Sequence, residues 1–196
     1  MPREEEKMVK ALARVDTSSA DEAQAIERLI AEQQYREALS RCARAYSGPL
    51  GRLCMAMTGS QAEAEELVQE TLIAGFDGFP QFRGEGSVRS WLFGIARRIC
   101  GRHNEMKNRR QARLRLVHDT GRGGDVGELH LERERAIRAR NALAELKPSE
   151  REAVVLRYEA GLSFKEVAAA CGVDEAAARK RVSRALSRLR ESLGDA

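Results

Sequence analysis

Apolar residues recur at intervals of three and four in one segment of this chain after another, and that spacing commits it to helices, because it lines one face of a 3.6-residue turn. From Tyr35 to Met57 the series is Leu39, Cys42, Ala43, Tyr46, Leu50, Leu53 and Met57, with Gly48-Pro49 a candidate kink. Thr58-Gly59-Ser60 interrupts the series. A helix is then expected from about Gln61 to Phe76, with Ala64, Leu67, Val68, Leu72 and Ile73 inward and an acidic outer side. From about Val88 to Arg115 a further pattern buries Trp91, Leu92, Ile95, Ala96 and Ile99 before turning almost wholly basic. Residues 1–30 read as a polar leader with two short helical patterns. The second is opened by Ser19 with Glu22 at capping-box spacing, and Ile26, Leu29 and Ile30 form a narrow apolar stripe.

Two segments break the helical period. Asp77 to Ser87 sets Gly78, Pro80, Gly84 and Gly86 among Phe76, Phe79 and Phe82, so it reads as a loop ordered by its aromatics. Phe76, Phe79 and Trp91 read as core aromatics, and Phe82 as either core or surface. Val117 to His130 gathers four glycines with polar residues and no period, the composition of a linker. Abundant Ala, Arg, Glu and Leu with only 5% aromatics also favours helices, since those residues lose little rotamer freedom there. The expected fold class is all-α: two small helical domains joined by a flexible linker, the C-terminal one a helix-turn-helix. The boundaries are 1–34 for an N-terminal helical extension without an assigned role, 35–116 for the first domain, 117–130 for the linker and 131–196 for the second domain.

The formal charge is only +4, but it is segregated. Arg97 to Arg115 carries Arg97, Arg98, Arg102, Lys107, Arg109, Arg110, Arg113 and Arg115 against Glu105 alone, whereas Glu63, Glu65, Glu66 and Glu70 cluster earlier. Two partners of opposite character are implied. Cys42, Cys54, Cys100 and Cys171 are scattered within apolar helical patterns and read as buried thiols. His103, His118 and His130 are isolated, so neither a metal nor a cofactor is expected. There is no apolar run of about 18 residues and no signal-peptide core at the N-terminus, so no membrane insertion and a cytoplasmic location are expected. Nothing resembles a phosphate loop, a carboxylate and histidine pair or an activated nucleophile, so no enzyme and no small-molecule substrate are expected.

The last fifty residues are the most heavily punctuated. Pro148 ends one helix, and Ser149-Glu150-Arg151-Glu152 and Ser163-Phe164-Lys165-Glu166 have capping-box spacing. Gly161 and Gly172 mark helix ends, and Asp174 can cap the next start. Val154, Val155, Leu162, Val167, Ala168, Val173, Val182, Leu186 and Leu189 form an interior, while Arg179, Lys180, Arg184 and Arg188 point outward. A basic helix after a glycine turn is the pattern of a helix-turn-helix that enters a DNA groove, where phosphates on both rims attract Arg and Lys.

The motifs AEAEELVQETLIAGFDGFPQFRG and SVRSWLFGIARRI, followed beyond the linker by LKPSEREAVVLRYEAGLSFKEVAAACGV and RVSRALSRLRE, resemble in order and spacing the extracytoplasmic-function group of bacterial sigma factors. The resemblance covers nearly all the chain after about Tyr35. It implies a promoter-melting and core-polymerase-binding domain at 35–116 and an upstream-element domain at 131–196. It also implies core RNA polymerase, promoter DNA and an anti-sigma factor as partners, and a stress or envelope-signal regulon. Glu66, Leu67, Gln69, Glu70 and Ile73 would dock on the polymerase. Phe82, Arg83, Ser87, Trp91, Arg97, Arg98, Arg102, Arg109 and Arg110 would hold the downstream element and melted strand. In the helix-turn-helix, Ser163, Glu175, Ala177, Arg179, Lys180, Arg181, Arg184 and Arg188 would contact DNA.

Three departures stand out. The family often has Asn where Arg98 stands and a Gly-Thr-Val-Lys run where this chain has Ala176-Ala177-Ala178-Arg179, and residues 1–30 have no counterpart. Loss of a hydroxyl at Ala177 removes a phosphate hydrogen bond from the start of the recognition helix, so the sequence read there is expected to be unusual or weaker. Competing readings are a stand-alone helix-turn-helix regulator, which would not need the loop aromatics, and a sigma-like decoy that binds an anti-sigma factor, against which the basic run argues.

Overall fold

The computed structural model describes residues 21–115 and 141–194, with side chains described over 21–110 and 141–192. In chain order the helices are α1 (21–31), α2 (Tyr35–Thr58), α3 (Gln61–Gly78), a 3-10 turn (Phe79–Gln81), α4 (Val88–Arg115), α5 (141–145), α6 (Pro148–Tyr158), α7 (Phe164–Cys171) and α8 (Glu175–Gly194). No strand occurs among the described residues. The linker 117–130, His118, His130 and the first pattern of the leader lie outside them.

α2, α3 and α4 pack against one another around Ala38, Cys42, Leu50, Leu53, Leu67, Leu92, Phe93 and Ile99. α2 runs through Pro49 without a break in its helical assignment. It ends at Gly59, and Ser60 then caps α3 by accepting from the Glu63 N–H at 3.4 Å. The inward stripe of α3 is Ala64, Leu67, Val68, Thr71 and Gly75. Ile73, expected inward, is 63% exposed. At 100° per residue it falls on the side of Glu66 and Glu70, and Thr71 takes the inward place, bonding its hydroxyl to the Leu67 carbonyl at 2.6 Å. Lys107 reaches across from α4 to Glu63 at 2.7 Å and holds that carboxyl below its ordinary range.

The leader is in part structural. α1 buries Ala23, Ile26 and Ile30, and its Glu27 Oε1 accepts from the Val88 N–H at 2.8 Å, so a carboxylate from one helix caps the first turn of another.

α6, α7 and α8 form a second three-helix unit, joined to the first where α7 lies on α4 and α6 on α2. One expected helix start differs. Lys147, without a side-chain bond, precedes α6, and Pro148 is its first residue, a position where its missing N–H costs nothing. Ser149 is therefore inside the first turn rather than a cap. Glu150 and Glu152 face inward and are almost fully buried.

Candidate nucleic-acid interface

The helix-turn-helix is built by the caps its sequence announces. Ser163 Oγ accepts from the Glu166 N–H at 3.2 Å while Glu166 Oε2 accepts from the Ser163 N–H at 2.9 Å, closing the capping box of α7. Gly172 ends α7 at φ 66, where a Cβ would be strained. Asp174 Oδ1 then accepts from the Ala177 N–H at 2.6 Å to start α8. Ala178, Val182 and Ala185 turn inward, which puts Glu175, Arg179, Lys180 and Arg184 on the exposed side. Ala177 and Arg181 are half-buried, and the Ala177 N–H is already engaged by Asp174. Of the three alanines that depart from the family pattern, Ala178 is buried, so it belongs to the packing of α8.

Arg188 is exposed as expected, but it is also paired within the protein. Its Nη1 lies 2.6 Å from Glu150 Oε2, and Glu150 is buried, so the pair ties α8 to α6. Removing Arg188 would leave a buried carboxylate unpaired, which gives this arginine a task in packing.

The second basic surface is the loop before α4. Phe82 packs on Trp91 with ring centroids 5.2 Å apart, and Trp91 in turn packs on Phe79 at 6.0 Å. Phe79 is buried, whereas Phe82 and Trp91 keep part of their surface open. Gly78 makes this stack possible, because a Cβ there would meet Trp91 Cζ2 at 2.9 Å. Phe82, Arg83, Ser90, Trp91 and Arg98 border an open cleft of about 270 Å³, closed on the other side by Ala169 of α7. Aromatic faces beside exposed arginines are the ingredients for stacking an unpaired base and holding its phosphates. Arg102, Arg109 and Arg110 continue the exposed basic side of α4. The nearest acids are 3.9 Å from Arg102 and 4.0 Å from Arg109, both in exposed pairs worth little in water.

Two residues expected on DNA are engaged within the protein in this structure. Ser87 donates its hydroxyl to Glu166 of α7 at 2.8 Å, and Arg97 Nε donates to Glu152 of α6 at 2.7 Å. Beside them, buried Arg89 donates through Nη2 to the Ala160 carbonyl. From sequence, Arg89 has no assigned role, and Glu150 and Glu152 read only as part of a capping-box motif, not as buried partners. Their signal was positional: Arg89 shares a face with Leu92 and Phe93, Glu150 with Ala153 and Val154, and Glu152 with Val155 and Leu156. A charge on an apolar stripe implies a distant partner.

A third surface lies on α3. Glu66, Gln69, Glu70 and Ile73, spaced by three and four, are exposed along one side. Leu67, expected to dock with them, is packed into the core behind and supports that side from within. Among the described residues no group of His, Cys, Asp or Glu could hold a metal ion, and no helix is long and apolar enough to cross a membrane.

Known proteins carry the same arrangement. Residues 42–111 match the family description Sigma-70 region 2, and residues 136–189 match Sigma-70, region 4. The chain is 30% identical over 175 residues to the probable RNA polymerase sigma-C factor of Mycobacterium bovis, covering 86% of this chain and 90% of that protein. It is 30% identical over 149 residues to the ECF RNA polymerase sigma factor EcfG of Rhodopseudomonas palustris, covering 71% of this chain and 76% of that protein. The sigma factor RpoE of Bartonella quintana, solved in complex with the anti-sigma factor NepR, superposes with a TM-score of 0.64 at 26% identity, over 79% of this chain and 96% of that one.

Proposed function

Because the chain belongs to the extracytoplasmic-function group of RNA polymerase sigma factors, we propose that its three exposed surfaces divide the work of initiation among them. The protein binds core RNA polymerase and directs it to promoters in the cytoplasm, leaving RNA synthesis to the polymerase. Glu66, Gln69, Glu70 and Ile73 on α3 supply the docking side: carboxylates around an exposed isoleucine suit a basic partner with an apolar notch. Glu175, Arg179, Lys180 and Arg184 on α8 read duplex DNA at the upstream element. Phe82, Arg83, Trp91 and Arg98 capture an unpaired base of the downstream element, and Arg102, Arg109 and Arg110 track the strand.

The observation that carries this reading is the coexistence of a helix-turn-helix with an exposed basic second helix and an aromatic cleft on one chain. A regulator that only reads duplex DNA has no use for the cleft. An anti-sigma factor, the kind of protein bound to the Bartonella relative, is the proposed inhibitor, and the regulon answers a stress or envelope signal. The domain boundaries follow the same division, 35–116 for docking and melting and 131–196 for the upstream element.

The test is Phe82→Ala in reconstituted holoenzyme. An aromatic that acts only on unpaired bases leaves closed-complex affinity in filter binding unchanged and reduces permanganate reactivity of the melted segment. Normal opening would remove the cleft from the melting step.

A further inference from the structure

Arg179 on α8 is exposed yet held from two sides. Its guanidinium carbon lies 4.4 Å from the centre of the Phe164 ring, over its face. Its Nε donates to Glu175 Oε1 at 3.2 Å, and Nη2 donates to the same oxygen. One face of the guanidinium thus rests on an aromatic ring and one edge on a carboxylate, while the side chain remains 59% exposed. The edge left over presents Nη1 and the second hydrogen of Nη2. Two parallel N–H groups of that kind match O6 and N7 of guanine in the major groove.

Phe164 does not belong to the recognition helix. It is the first residue of α7, whose start is fixed by the Ser163 and Glu166 capping box. The same ring carries Arg157 of α6 at 5.0 Å, and Arg157 is tethered by a 2.8 Å bond from Nη1 to the Leu162 carbonyl. The ring is therefore set by two other helices, and it supplies Arg179 with a fixed reference outside α8. A free arginine would have to give up rotamer freedom on meeting DNA, and one already planted has less to lose.

We infer that Phe164 is a positioning residue for sequence recognition, acting through Arg179 to aim its free edge at a guanine of the upstream element. This rests on α8 being the upstream reader. The alternative for Phe164 is simple packing, because it also lies against the shared core. Leucine separates the two: it keeps apolar contact but has no π face for the cation.

The experiment measures holoenzyme initiation on promoters carrying each base pair at every upstream-element position, for wild type, Phe164→Leu, Phe164→Tyr, Arg179→Ala and the double variant Phe164→Leu with Arg179→Ala. Arg179→Ala is expected to abolish preference at one G·C position. Phe164→Leu is expected to weaken that same preference about two- to fivefold, the range of an exposed cation–π contact, with other positions unchanged. Phe164→Tyr keeps the preference, and Phe164→Leu adds nothing in the Arg179→Ala background. Should the leucine variant fail to fold, Phe164→Met carries the same test. An intact preference in Phe164→Leu beside a lost one in Arg179→Ala overturns the positioning role and leaves α8 as the reader. A uniform loss at all positions, or equal effects in both backgrounds, also overturns it in favour of packing. An unchanged preference in Arg179→Ala overturns both the inference and the reading of α8 beneath it.

Discussion

Single side chains in this protein do different work according to whether their neighbours are local or distant. Arg179 and Glu175 are one turn apart, and Asp174 caps three residues ahead, so both interactions follow from local sequence. Arg188 and Arg97 look like further DNA-binding arginines, yet each holds a glutamate brought near only by folding. The thiols illustrate burial. Cys42, Cys54, Cys100 and Cys171 are all free and buried, and Cys54 and Cys100 face each other with their sulfurs 3.5 Å apart. Burial pushes the Cys42 thiol up to about 12 and raises that of Cys171 as well, so little of either is thiolate near neutrality. The native protein at pH 8 is therefore expected to leave Cys42 and Cys171 unreacted with an aromatic disulfide reagent, and both should react in denaturant. Rapid reaction of either in the native state would mean that its helix opens readily.

Among the elements, α3 shows most clearly how exposed and buried faces are shared out. Leu67 and Val68 anchor it inward, and Glu66, Gln69, Glu70 and Ile73 follow the opposite side at helical spacing. Charge reversal there touches no core contact. Glu66→Lys with Glu70→Lys is expected to abolish co-purification with core polymerase while changing stability by no more than about 0.5 kcal/mol. Circular dichroism melts run beside the pull-down provide the control, and retained binding would move the docking surface elsewhere. The helices themselves were legible because periodicity and caps are local: α4 starts at the expected residue, and Ser163, Gly172 and Asp174 act as their types suggest. The start of α6 was misread because Ser149 with Glu152 has the spacing of a cap, and only tertiary pairing takes Glu152 away to Arg97. The aromatic cleft was legible in its members, Phe82, Trp91 and Arg98, but α7 as its far wall depends on how the two units meet.

At the scale of the molecule, the two three-helix units share one continuous core and are fastened by Ser87 to Glu166, Arg97 to Glu152 and Arg89 to Ala160. α4 and α7 meet at Gly94, where even a Cβ would sit in ordinary contact, 3.5 Å from the Ala170 carbonyl oxygen. In this arrangement the Ser87 hydroxyl and the Arg97 Nε are taken up by acidic partners on α7 and α6. The proposed docking side on α3 includes none of these residues. The most direct test adds the purified full-length protein to core RNA polymerase and maps the 5′ ends of transcripts made from genomic DNA. Initiation is expected at a limited set of sites sharing one upstream and one downstream element, and it should disappear with Glu66→Lys and Glu70→Lys. Starts no more selective than those of core enzyme alone, from protein that folds and binds the polymerase, would contradict the assignment.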